Sequence, residues 1–190
     1  VRQSICVYCS SSDAVSPVFF DAATQLGAAI GRRNLTLVYG AGAVGLMGAL
    51  ARAVHQHGGR VTGVIPEFMH AKGVAYQDAD ELVVTGDMRE RKAVMEERAD
   101  AFVGLPGGFG TLEEILEVLT FKQLEIHAKP IVLLNTRGFY DQLLGLFEHI
   151  YRERFAKPDH WRLMYVTDDV DSAMAYVEDY RPTAVESKWF

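Results

Sequence analysis

The sequence predicts one open α/β domain, a mostly parallel sheet with helices on both faces. Three observations carry that expectation. Short apolar runs alternate along the chain with longer amphipathic or apolar segments, the rhythm of repeated strand–helix units. Three of the strands run directly into loops of small residues, at 10–13, 40–45 and 106–110. In parallel sheets such loops gather at the carboxyl edge, where ligands bind. Finally, the 190 residues are 49% hydrophobic and 23% charged, enough for one substantial core.

The elements follow in order. Residues 3–9 (Q-S-I-C-V-Y-C) read as the first strand, and the polar turn 10–13 ends it. Ser16 followed by Pro17 opens a helix to about Arg33, a capping hydroxyl and then proline at the first helical position. Residues 35–39 form a second buried strand. The loop 40–45 leads into a helix that Gly58-Gly59 stops near His57. Residues 60–65 make a third strand, 66–80 are irregular or a short helix, and 81–85 are a short strand. A helix over 88–99 leads into a central strand at 101–105, and a long helix over 112–126 follows the next loop. Then come a strand at 130–134, a helix at 139–153, a strand at 164–166 and a last helix at 170–180. The pattern is that of a single Rossmann-like domain over 1–190, with 181–190 as a tail.

Composition excludes several classes of partner. The net charge is −6 and no basic stripe is visible, which argues against a nucleic-acid polymer. No apolar run approaches the roughly 18 residues of a membrane span, so no membrane partner is expected. No basic-then-apolar leader opens the sequence, so a cytoplasmic location is expected. Cys6 and Cys9 have C-x-x-C spacing, but residues three apart on a strand face opposite ways, so two buried thiols are expected. The histidines are scattered and His55 and His57 diverge at a helix end, so neither a metal nor a cofactor is implied.

The chain is organised around Leu105-Pro106-Gly107-Gly108-Phe109-Gly110-Thr111-Leu112-Glu113-Glu114. A proline and three glycines between a strand and a helix let the backbone turn tightly and approach a ligand. The helix start offers free amides and the positive end of its dipole, an anion site suited to phosphate. Phosphate binding alone gains nothing from two carboxylates in the first turn, so Glu113 and Glu114 suggest chemistry. Gly40-x-Gly42-x-x-Gly45 fits the dinucleotide fingerprint but follows the second strand. Its acidic partner is missing: about 20 residues on stand His57-Gly58-Gly59-Arg60, which disfavours a nicotinamide cofactor. Arg91 and Lys92 sit early in a helix, where cations oppose the dipole, so anionic partners are expected. Local pairing with Asp87 and Glu96 is the alternative. Thr111-x-x-Glu114 is also a capping-box pattern. Spacing leaves these alternatives open.

Residues 106–114 match the motif PGGxGTxxE at every fixed position, and Met88-Arg89-Glu90-Arg91-Lys92 matches M-x-x-R-K. By these residues the chain resembles the LOG ("Lonely Guy") family of cytokinin riboside 5'-monophosphate phosphoribohydrolases, often mislabelled lysine decarboxylases. The resemblance runs from the first strand to about His127 and more loosely to the end. The family element Y-G-G-G-x-x-G-L-M-G reads here Tyr39 to Gly48, with Ala41 for a glycine, and Ser10 stands where the family often has glycine. Both departures bear on fine specificity.

What the resemblance implies is specific. The reaction is hydrolysis of the N-glycosidic bond of an N6-substituted adenine riboside 5'-monophosphate, or of AMP, to free base and ribose 5-phosphate. Arg91 and Glu114 are the implied catalytic pair; an arginine keeps its charge, so the role of Arg91 is electrostatic. Substrate is implied to meet Lys92, Gly107, Gly108, Phe109, Gly110, Thr111, Leu112, Glu113 and Thr120, with Ser11, Gly42, Gly45 and Met47 from the neighbouring loops. A homodimer or higher symmetric assembly is implied too, and the segment 112–126, apolar on nearly all sides, points the same way. The alternative is a non-catalytic nucleotide or cofactor carrier on the same fold, which has no need of both Arg91 and Glu114. No lysine stands out as an anchor for pyridoxal phosphate, so the decarboxylase label finds no support.

Overall fold

Strand β1 (Ser4–Tyr8) occupies the middle of the sheet, flanked by β2 (Thr36–Tyr39) on one side and β5 (Ala101–Gly104) on the other. The structure, a computed structural model, describes residues 3–186, 188 and 189. Among these, β3 (Arg60–Pro66), β4 (Glu81–Thr85), β6 (Ile131–Leu134) and β7 (Tyr165–Thr167) complete one sheet of seven strands. Its order is β4-β3-β2-β1-β5-β6-β7, with every neighbouring pair parallel. The inner strands are short apolar runs buried on both faces, as a sheet covered on two sides requires.

Alternation along β1 divides the core in two. Ile5, Val7 and Cys9 face one layer, with α1 (Pro17–Arg32), α2 (Gly45–Gln56) and α7 (Val170–Asp179). Cys6 and Tyr8 face the other, with α4 (Met88–Arg98), α5 (Phe109–Gln123) and α6 (Asp141–Arg152). The two cysteines are therefore free, buried and on opposite sides of the sheet. Burial pushes both thiols well above the usual range, so neither is poised as a nucleophile.

Strand order reverses between β1 and β5, because α4 carries the chain from the β4 edge back to the middle. At such a reversal the loops leaving two adjacent strands part in opposite directions and open a crevice. The loops at 10–13 and 105–108 stand on either side of it.

Several boundaries differ from those the sequence predicts. Helix α5 begins at Phe109, three residues early, and ends at Gln123 rather than 126. Its end is a Schellman turn: the Glu125 N–H donates to the Lys122 carbonyl (3.1 Å) and the Ile126 N–H to that of Phe121 (2.9 Å). Glu125 takes the left-handed position, φ 60°, which glycine usually marks, so no sequence signal announced the stop. The irregular stretch 66–80 holds a short helix, α3 (Glu67–His70), and then braces the loop after β2. There the Tyr76 N–H donates to the Ala41 carbonyl (2.8 Å) and the Ala43 N–H to that of Val74 (3.1 Å). Two 3-10 turns, Thr136–Gly138 and Pro158–Leu163, lie outside the predicted elements or at their edges. The described part of the tail has no regular structure, and the Glu186 N–H anchors it to Asp159 at 2.9 Å. Among the described residues no helix is long and apolar enough to cross a membrane.

Candidate active site

The site is built where β5 hands over to α5. The Leu105 N–H still bonds to the Tyr8 carbonyl (2.9 Å), and the Leu105 carbonyl accepts from the Tyr140 hydroxyl (2.6 Å). That fixes the strand end before Pro106 turns the chain. A Cβ on Gly107 would lie 2.1 Å from the Thr111 hydroxyl oxygen, so the turn closes only without a side chain there. Gly108 is the residue before the helix, and no side chain caps it. The amides of the first turn thus lack intrahelical partners and open toward the crevice.

This geometry overturns the capping-box reading. Thr111 is the third residue inside α5, not the residue before it. Glu114 instead pairs with Arg91 across the gap between helices, Nη1 to Oε1 at 2.9 Å. Both are nearly buried, at 5% and 7% exposure. Arg91 Nε also donates to the carbonyl of Val64 in β3 at 3.1 Å, so the guanidinium is held at two points.

The local-pairing alternative for Arg91 and Lys92 fails as well. Asp87 caps α4, its Oδ1 accepting from the N–H groups of Arg89 (2.8 Å) and Glu90 (2.9 Å). Lys92 reaches across to Glu113 and Glu117 of α5. Burial alone lowers the basicity of Lys92, but these two carboxylates outweigh it and hold its ammonium above the usual value. For Glu114 the balance tips the other way. Burial raises its carboxyl above the usual range, and the Arg91 charge offsets only part of that. A carboxylate both paired and raised is suited to taking a proton.

A cavity of about 300 Å³ lies over this pair. Ser11, Met47, Arg91, Gly108, Gly110, Thr111, Glu113 and Glu114 line it, all of them residues the sequence singled out. Gly107 lines a more apolar cavity of about 250 Å³ that shares Ser10 and Gly108 with the first. Gly42 and Gly45 act from behind. The Gly45 N–H donates to Asp13 Oδ1 at 2.7 Å, and a Cβ there would fall 2.4 Å from the Ser11 carbonyl carbon. Gly42 gives room to the sulfur of Met47.

Other expected residues do not meet in this cavity. Lys92 braces the two helices. Leu112 is partly buried and packs against the core layer that holds Ile115 and Val118. Phe109 is 94% exposed. The Thr120 hydroxyl donates to the Leu116 carbonyl (2.7 Å) on an exposed face further along α5. Asp13 and the Val64 carbonyl escaped the sequence reading, and so did the roles of Gly40 and Met88, which it quoted only within motifs. Met88, the first residue of the M-x-x-R-K motif, lines the cavity. A Cβ on Gly40 would meet Arg91 Nη2 at 2.0 Å, a demand visible only once α4 is packed on the sheet.

Comparison with known proteins fits this geometry. Residues 47–177 match the family described as "Possible lysine decarboxylase". A rice (Oryza sativa subsp. japonica) protein described as a probable cytokinin riboside 5'-monophosphate phosphoribohydrolase is 45% identical over 94% of this chain and 78% of its own length. A cytokinin riboside 5'-monophosphate phosphoribohydrolase of Arabidopsis thaliana is 43% identical over 94% of this chain and 82% of its own. The chain belongs to the LOG family. Among solved structures, the molybdenum cofactor carrier protein of Chlamydomonas reinhardtii superposes on this LOG chain with a TM-score of 0.72, at 22% identity over 94% of this chain and 97% of that one. The molybdenum cofactor binding protein of Rippkaea orientalis gives 0.71 at 18% identity, over 94% and 96%. At such identities the likeness speaks for the fold alone. In the LOG chain the two family motifs meet at one ion pair, Arg91 from M-x-x-R-K and Glu114 from PGGxGTxxE.

Proposed function

We propose that this LOG-family enzyme hydrolyses the N-glycosidic bond of cytokinin riboside 5'-monophosphates, and of AMP, releasing the free base and ribose 5-phosphate. The observation that carries the reading is the buried Arg91–Glu114 pair beside an anion-binding helix start. The 5'-phosphate rests on the amides from Gly108 to Thr111, with the Thr111 hydroxyl and the helix dipole in support. That anchors the sugar over Glu114.

The bond from C1' to the base nitrogen breaks with its electron pair going to the base. Positive charge spreads over C1' and the ring oxygen, and the Glu114 carboxylate stabilises it. Water then adds to C1', giving up a proton to Glu114 that ends on the departing base. Arg91 keeps Glu114 aimed and favours its charged form. Glu113, held by Lys92 at the cavity rim, is placed to accept from a ribose hydroxyl.

The active assembly is a homodimer or larger symmetric oligomer. Phe109, Leu116 and Leu124 of the α5 segment remain exposed in a single chain. Such an apolar surface on a functional helix is what a second copy would cover.

Incubation with AMP, adenosine and an N6-prenylated adenosine monophosphate tests the reaction. Free base and ribose 5-phosphate from the monophosphates only is the expected result. Recovery of intact bound nucleotide would favour the carrier instead.

A further inference from the structure

A separate cavity of about 490 Å³ lies against the opposite end of α5, roughly 16 Å beyond Thr111 at 1.5 Å per residue. Its walls come from the last turn of α5, the turn that follows, the 3-10 turn Pro158–Leu163 and the tail at 182–186. None of the residues around the Arg91–Glu114 pair takes part.

Lys122 is the group that calls for an explanation. It is only 6% exposed and lines the cavity, yet its Nζ has no hydrogen-bond partner among the described residues. The ring of Tyr180, with Nζ 4.8 Å from its centroid, and the carbonyl end of α5 face it. Those offset part of the burial of a charge and leave three donors unused. Burial pulls Lys122 down to about 8, as expected for an ammonium without a counter-charge.

The histidines and Gln123 of the lining are already engaged. His160 Nδ1 bonds to Gln123 Nε2 (3.0 Å), and its Nε2 bonds to the Glu186 carbonyl (3.0 Å). His127 Nε2 bonds to the Val118 carbonyl (2.9 Å), and its Nδ1 accepts from the Lys129 N–H (3.2 Å). The acidic side chains of the lining are directed elsewhere: Glu125 is exposed, and the Glu186 carboxylate lies 3.8 Å from Lys157. What remains is one ammonium, with Thr183, in a wall of Ile126, Leu163, Tyr180 and Val185.

We propose that this cavity is a binding site for a small organic monoanion, a carboxylate carried on an apolar or aromatic body. The carboxylate would meet Lys122 Nζ and the body would lie against Tyr180 and Leu163. A single ammonium suits one negative charge; phosphate would call for a second cation or a cluster of amides. Because the tail forms one wall, occupancy also holds the tail in place.

Benzoate is the probe, with benzamide as its uncharged counterpart, and the full chain is used throughout. Millimolar benzoate should raise the melting temperature of the parent and give a saturation-transfer NMR signal, and benzamide should do neither. Lys122→Met should melt higher than the parent without additive, lose the benzoate response and turn over AMP at the parental rate. Lys122→Gln should lose the response in the same way, which covers a Met variant that fails to fold. Three results would overturn the assignment: no response of the parent to benzoate, an equal response to benzamide, or an undiminished benzoate response in the folded Lys122 variants.

Discussion

A methyl group added to Gly40 would sit 2.0 Å from Nη2 of Arg91, closer than any non-bonded contact allows. The guanidinium cannot swing away at no cost, because Val64 and Glu114 hold it from two sides. Gly40→Ala should therefore displace the charged group by a fraction of an ångström to one ångström and leave the fold intact. A fall in kcat of about 10- to 100-fold is expected, the scale of small misplacements at reacting centres. Steady-state turnover of AMP beside a circular-dichroism melt checks it; parental kcat would show that Arg91 adapts freely.

Glu114→Gln keeps the shape and one acceptor oxygen while removing the charge. Turnover should fall by about two orders of magnitude or more, as for loss of a key electrostatic group. At neutral pH the variant should be as stable as the parent or slightly more so, because burial makes the charged carboxylate costlier to the fold than a neutral group even with Arg91 beside it. Urea denaturation and single-turnover assays measure the two effects separately. Full activity in a folded protein would remove Glu114 from the mechanism.

The pH profile offers an independent reading of the same pair. The Glu114 carboxyl is raised above its usual value of 4.5, chiefly by burial, with Arg91 opposing. In the proposed reaction its charged form does the work, so activity should be lost as pH falls through the raised value. The acid limb of kcat/KM should lie above 4.5, and the residual activity of Arg91→Ala should show that limb at higher pH still. The stability contribution has the opposite sense: a carboxyl raised on folding favours the folded state below its unfolded value and loses that advantage as pH rises. A limb at or below 4.5 in the parent would count against Glu114 as the titrating group.

Phe109 is 94% exposed at the first position of α5. Phe109→Asp should leave the folded subunit as stable as the parent within about 0.5 kcal/mol, the usual range for surface changes. It should shift the mass seen by light scattering at micromolar concentration toward the single chain. An unchanged mass would take Phe109 out of the interface, and a monomeric parent would dismiss the assembly altogether.

The sheet was legible because its signals are local. Strands such as 101–105 are apolar runs, and helices alternate with them along the chain. The meeting of Arg91 with Glu114 was legible only through the two motifs, since spacing alone left each with a partner on its own helix. Thr111 and Gly108 show why spacing falls short. The capping pattern T-x-x-E is present, but the glycines let α5 start three residues early and turn Thr111 into an interior position. The end of α5 was missed for a related reason: Glu125 takes a glycine-like φ inside a local Schellman turn that no glycine marks. The brace at 74–76, the need for Gly40 and the cavity around Lys122 depend on contacts between segments far apart in sequence, and no periodicity reports those.

The bond from Arg91 to Val64 on one side and to Glu114 on the other spans the reversal of strand order. Residues up to Ala99 supply β1 to β4 and the guanidinium; residues from Asp100 onward supply β5 to β7 and the carboxylate. The proposed reactive centre thus belongs to neither half of the chain. Were the polypeptide divided at that junction, each piece would carry one charge of the pair, and hydrolysis would return only on their reunion. Catalysis in this architecture doubles as a report on whether the two halves have been joined.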